Sequence, residues 1–118
     1  MQPEGKIPLL KYLNDALNAA QTILVQTQGL TLNEYYQNKV KWIIERGIEI
    51  ISEALKRAIQ FNASLQISDL NKIFAARNRI AHEYDIVDPI ILYTIVNNSI
   101  PILIAELNLI IEQLEKEH

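Results

Sequence analysis

From Thr31 to Gln60 the chain runs without a proline, and its apolar residues recur every three or four positions. Ile44, Ile48, Ile51 and Leu55 form one stripe, and Ile43, Gly47, Ile50 and Ala54 form a second beside it. This spacing fits the 3.6-residue turn of an α-helix and not the two-residue period of a strand. The double stripe makes an apolar face wider than one neighbouring helix needs. A chain carrying such a segment must surround it with other helices or meet a second copy along it. Its other edge carries Glu45, Glu49, Glu53, Lys56 and Arg57, with Glu53 and Arg57 spaced as an i,i+4 ion pair.

The flanking segments read the same way. A first helix over about 7–26 is predicted from Leu10, Leu13, Leu17, Ala20 and Leu24, and Gly29 stops it. The second, over about 31–60, opens at Thr31-Leu32-Asn33-Glu34, which fits a capping box. Asn62-Ala63-Ser64 breaks it. A third, over about 68–80, is capped by Ser68 and runs through Leu70, Ile73 and Phe74 toward Arg77. Asp88 caps a fourth over about 89–115, with Pro89 at its first position, where a missing N–H costs nothing. Its stripe is Ile100, Leu103, Ile104, Leu107, Ile110, Ile111 and Leu114, and Pro101 inside it predicts a kink near Asn97-Asn98-Ser99. No segment with a strand period is long enough to compete. The expected fold is all-α, an up-and-down four-helix bundle forming a single domain over residues 1–118.

Composition narrows the function classes. Gly and Pro together number 7 in 118 residues and about half the chain is apolar, so a folded core is expected rather than disorder. There is no cysteine, which removes disulfides and thiolate metal sites and agrees with a cytoplasmic location. No charge-free apolar run reaches membrane-spanning length, and Met-Gln-Pro-Glu-Gly-Lys has no signal-peptide pattern, so no membrane association is expected. The net charge is −3, so any contact with nucleic acid must be local rather than spread over the surface.

One short stretch departs from the amphipathic pattern: Arg-Asn-Arg-Ile-Ala-His-Glu-Tyr-Asp at 77–85. If the third helix continues through it, Asn78 and His82 share a face. A guanidinium binds phosphate bidentately without losing its charge, and imidazole moves protons near neutral pH. Together they suit metal-free cleavage of an RNA phosphodiester. The ribose 2′-OH attacks the adjacent phosphorus, a His serves as base or acid, and an Arg offsets the developing charge. One His cannot easily serve both ends of the transfer. A symmetric dimer would supply two His and two Arg and would also cover the wide face of the second helix. Each residue has a plainer reading: Arg77 and Arg79 as surface ion pairs, His82 as a hydrogen-bonded structural residue, Tyr84 as a half-buried aromatic, Glu83 and Asp85 as solvated charges. A metal site is weakly supported, because the other histidine is His118 and no Glu-x-x-His pattern occurs. Trp42 and Tyr35-Tyr36 are core or interface aromatics, too isolated to argue for base stacking.

Arg77-Asn78-x-x-x-His82-x-Tyr84 resembles the signature of HEPN-domain proteins, and more closely of the HepT toxin family. The acidic-apolar continuation Asp85-Ile86-Val87-Asp88 is similar to the start of that family's last helix. Arg46-x-x-Glu49-Ile50-Ile51-x-Glu53-Ala54 resembles its second-helix motif, with Ser52 where Gly is usual, and Ile100-Pro101-x-Leu103 resembles its Leu-Pro-x-Leu. The chain departs from the family at Ile67-Ser68-Asp69-Leu70, where Pro and Trp are common. The resemblance implies a dimeric, metal-independent endoribonuclease without cofactor, the toxin of a toxin–antitoxin pair. Arg77 and His82 would be catalytic, and Asn78 and Arg79 supporting. It also implies a nucleotidyltransferase antitoxin of the MntA type that silences the nuclease by transferring AMP to Tyr84, in a homodimer or a larger assembly with the toxin. Phosphate and nucleoside two residues from His82 would block RNA and occupy the arginines. The alternative is a non-catalytic HEPN module that binds a nucleotide or a nucleotidyltransferase.

Overall fold

A computed structural model describes residues 3–83 and 87–117, the side chains of residues 3 and 4 aside. Among the described residues there are four α-helices and no strand: α1 (Pro3–Thr27), α2 (Asn38–Phe61), α3 (Leu70–Glu83) and α4 (Pro89–Lys116). The all-α four-helix reading thus holds. The bundle is elongated, 48 × 29 × 20 Å. α1 packs along α2 on one side and α4 on the other, while the shorter α3 rests on α2 and the middle of α4.

Three boundaries differ from the sequence reading, each for a local reason. α1 begins at Pro3 rather than near residue 7, since proline is tolerated at a helix start, and it buries two lines instead of one. Leu9, Ala16 and Ile23 are buried with Leu13, Leu17 and Ala20, because α1 faces two helices; Leu10 and Leu24 are only partly buried.

The expected helix over 31–60 is split. Thr31 and Glu34 do interact, with the Thr31 N–H and hydroxyl both donating to Glu34 Oε1 at 3.0 and 3.1 Å, but they open a 3-10 turn at Leu32–Tyr36. Gln37 is extended (φ −71°, ψ 134°) and α2 starts after it. The split lets Tyr35 bury itself edge-on against Tyr93 of α4, with ring centroids 5.1 Å apart, while Val40, Ile44 and Ile48 face the core on an independent register.

α3 runs over Leu70–Glu83, later at both ends than 68–80. Ser68 is not its cap. Its N–H and hydroxyl donate to the Glu106 carboxylate on α4, and the first helical amide bond is Ile73 N–H to the Asp69 carbonyl, 3.0 Å. The link from α2 is held by Asn62, whose Oδ1 accepts from the Ser64 N–H and hydroxyl at 3.1 and 2.7 Å.

Two expectations about local chemistry hold closely. Asp88 caps α4, its side chain accepting from Ile90 N–H at 2.9 Å, and Pro89 opens the helix. Ahead of Pro101, residues Ile95–Ser99 widen into a π turn in which the Ile100 N–H reaches back to the Ile95 carbonyl. Proline lacks a donor and crowds the carbonyl four residues before it, and the wider turn absorbs that crowding. α4 is long and apolar enough, by length and composition alone, to cross a membrane; in the bundle its buried line from Leu92 to Leu114 faces the core.

Gly29 ends α1 with φ +77°, a conformation that side chains disfavour. Gly47 serves a different purpose: a Cβ there would stand 2.5 and 2.6 Å from Ile23 Cδ1 and Cγ1. The absent side chain is what lets α1 and α2 approach this closely.

Candidate functional site

The polar stretch is helical through Glu83, so Arg77, Asn78, Arg79 and His82 all lie on the last turns of α3. The apolar line of this helix, Ile73, Ala76 and Ile80, is buried against the bundle and fixes where the polar residues go. At about 100° per residue, Arg77 borders that buried line and His82 stands about opposite it. Accordingly Arg77 is partly buried, while Asn78 and His82 are exposed on a shared face. Arg77 and His82 are about 140° apart around the axis and about 7.5 Å apart along it. One copy of α3 therefore turns them to different sides.

Arg77 enters a groove of about 640 Å³ between α1 and α2. Tyr12, Ala19, Ile50 and Ala54 supply its apolar surface, and charged residues edge it. Most of those charges are paired across one helical turn: Lys11 with Asp15 at 2.9 Å, Arg57 with Glu53 at 3.0 Å, and Arg46 with Glu49 at 3.4 Å. The Asp15 hydrogen bond and charge raise the Lys11 ammonium above its ordinary pKa. Arg77 makes no ion pair among the described residues. It is the groove's uncommitted cation, and an entering anion would meet it without first breaking a bond.

Arg79 behaves differently. Its guanidinium pairs with Glu83, Nη2 to Oε2 3.2 Å, on the side of α3 away from Arg77. The plain reading of Arg79 and Glu83 as a surface ion pair describes this geometry. Arg79 therefore stands on another side of α3 than Arg77, and its guanidinium meets a phosphate only once that pair opens. His82 is exposed and has no hydrogen-bonded partner among the described residues. Tyr84, the expected adenylylation position, lies outside the described residues, as do Asp85, Ile86 and His118. Among the described residues no group of three or more His, Asp or Glu side chains is gathered as a metal site would need.

Sequence reasoning named the α3 motif but gave no role to its neighbours on α2. Arg46, Glu49 and Trp42 line a cleft of about 360 Å³ that reaches Ile80 and Ala81, the residue before His82. Arg46 also lines the larger groove with Arg77. The signal for this juxtaposition was the Arg46-x-x-Glu49 spacing. Read alone, it is an ordinary i,i+3 surface pair.

The chain is similar to the protein named "Putative RNase MJ1380" of Methanocaldococcus jannaschii, 27% identical over 101 residues, covering 84% of this chain and 93% of that protein. No solved structure matches it significantly. The family model described as Ribonuclease HepT-like matches residues 13–110, from the middle of α1 to the last turns of α4 and through the whole polar motif. With most of its length inside that match, the chain belongs to the ribonuclease HepT-like family.

Proposed function

We propose that the protein is a metal-independent endoribonuclease, the toxin of a toxin–antitoxin pair, acting in the cytoplasm as a single-domain chain that pairs with a second copy. The observation that carries the reading is an uncommitted Arg77 and an open His82 on one helix end, in a chain of a ribonuclease family. Arg77 would bind the scissile phosphate bidentately. The 2′-OH would lose its proton to one imidazole as its oxygen bonds to phosphorus, and the P–O5′ bond would break as a second imidazole protonates the leaving oxygen. The products are a 2′,3′-cyclic phosphate and a free 5′-OH. One chain supplies a single imidazole to this two-imidazole step and turns Arg77 and His82 to different sides of α3, which supports a site shared by two copies, each contributing its His82 and its Arg77. Asn78, on the His82 face, would support the ring, and Arg79 would assist phosphate once freed from Glu83.

Silencing would come from a nucleotidyltransferase of the MntA type that places AMP on Tyr84, in a complex with the dimer. Two residues beyond His82, the added phosphate would compete with RNA for the same arginines. The same divergence also favours a second reading, a module that binds a nucleotide or the nucleotidyltransferase without cutting.

Incubating the unmodified protein with cellular RNA in excess EDTA, beside His82→Ala, separates the two. Cleavage by the wild type alone, with cyclic phosphate ends, is the expected result. No cleavage by a folded protein whose mass shows an unmodified Tyr84 supports the module instead.

A further inference from the structure

Trp42, the only tryptophan in the chain, stands on α2 with 66% of its surface exposed. Its ring stacks on no other aromatic side chain among the described residues, and its indole N–H donates to none of them. It is therefore not a core residue that happens to reach the surface. It forms a wall shared by two depressions. On one side lies an apolar groove of about 330 Å³ floored by Ile23, Ile43, Gly47 and Ile50. On the other lies the cleft that runs to Ala81 on α3. Arg46 lines both of these and the larger groove that Arg77 enters.

We infer that Trp42 is a base-stacking platform for single-stranded RNA, and that Arg46 holds the phosphate of the nucleotide stacked on it. The inference rests on the reading of the protein as RNA-binding, and names where the strand lies beyond the scissile bond. A nucleobase needs a flat aromatic face on an apolar floor with a cation within one nucleotide's reach. Trp42, the Ile23–Ile50 floor and Arg46 supply those three elements. The Arg46 pair with Glu49 is loose, 3.4 Å, with the side chains 60% and 41% exposed, so a phosphate can replace the carboxylate at little cost. Glu45, Arg46 and Glu49 edge the cleft side of the indole, and protein interfaces exclude such charge from their centres, so this surface suits a solvated strand whose phosphate meets Arg46 better than it suits a second protein copy.

Because Trp42 is the sole tryptophan, its emission reports its own contact. The probe is a labelled, uncleavable single-stranded 2′-O-methyl RNA, bound to the full chain and followed by label anisotropy and indole fluorescence together. We expect quenching with the same midpoint as the anisotropy. Trp42→Ala should weaken binding by about 5- to 150-fold, the range for one stacked base, and Trp42→Phe should recover most of it. Since the side chain lies outside the core, both variants should keep the wild-type circular dichroism. Binding with unchanged emission and with equal affinity for Trp42→Ala overturns the platform and leaves the RNA reading standing. No RNA binding by the wild type at low salt overturns both. Emission unmoved by RNA, together with a Trp42→Ala protein that sediments at lower mass, assigns the indole to contact between copies and overturns the platform.

Discussion

Replacing Gly47 with Ala tests whether α1 and α2 touch as closely as described. The new Cβ would meet Ile23 Cδ1 at 2.5 Å and Cγ1 at 2.6 Å, where carbon contacts ordinarily settle near 3.5–4.0 Å. Ile23 is 1% exposed and cannot swing into water, so either its rotamer or the helix spacing must yield. Overpacking of this kind costs about 1–3 kcal/mol. Against it, Ala in a helix interior recovers about 1 kcal/mol relative to Gly. The net expectation is a loss of about 1 kcal/mol, or about 4 °C in Tm for a chain of this size. In an Ile23→Ala background, itself about 2–5 kcal/mol less stable, the clash disappears and only the propensity gain remains. There Gly47→Ala should stabilise by about 1 kcal/mol. Urea unfolding of the four proteins at one protein concentration, followed by circular dichroism, gives the coupling directly, expected at about 1–3 kcal/mol. If Gly47→Ala stabilises equally in both backgrounds, the close approach of α1 and α2 is refuted, and with it the floor of the grooves beside Trp42.

Four further outcomes are expected. Arg77→Ala and His82→Ala should each lower RNA cleavage by at least about 100-fold, as loss of a proton-transfer or charge-stabilising group does, and should leave Tm nearly unchanged because neither belongs to the buried line of α3. Tyr84→Phe should stay toxic in cells that produce the nucleotidyltransferase and show no mass gain from AMP; retained silencing would move the modification to another residue. Ile50→Glu should keep its helical content, since Ile50 is 39% exposed, yet weaken single-stranded RNA binding in an anisotropy titration, because Ile50 floors the groove beside Trp42. Asp88→Ala should cost about 1 kcal/mol in urea unfolding through loss of the bond to Ile90 N–H at the start of α4.

Much of the fold was legible because local chemistry and tertiary packing agree. The Asp88-Pro89 start, the Gly29 stop and the disturbance before Pro101 each follow from a backbone donor or a φ angle that the residue type dictates. Where long-range contacts decided, sequence reasoning missed. The capping box at Thr31 formed, but the burial of Tyr35 against Tyr93, distant in sequence, ended its helix after one turn. Ser68 has the chemistry of a cap and instead serves Glu106, thirty-eight residues away. The extra buried line of α1 was hidden for the same reason, since nothing in a single helix says how many neighbours it has. The site divides similarly. The residues of the α3 motif were readable by type and spacing, and the sharing of a face by Asn78 and His82 follows once the helix continues to Glu83. The turn between Arg77 and His82 follows from the same continuation, but which of them borders the bundle became visible only when Ile73, Ala76 and Ile80 fixed the rotation of α3. Arg46 and Trp42 reach the motif through packing of α2 beside α3, which no spacing along the chain records.

The proposed RNA site takes one His82 from each of two copies. Co-refolding a fixed amount of wild-type chain with increasing His82→Ala chain, and measuring cleavage under saturating RNA in EDTA, tests this most directly. A shared site predicts that mixed dimers are inactive. At equal amounts only about a quarter of the dimers keep both imidazoles, so the activity of the fixed wild type falls to about half, and a large excess of variant nearly abolishes it. Activity that stays constant however much His82→Ala chain is added would show that one imidazole suffices at each site, and would contradict a shared site that needs both.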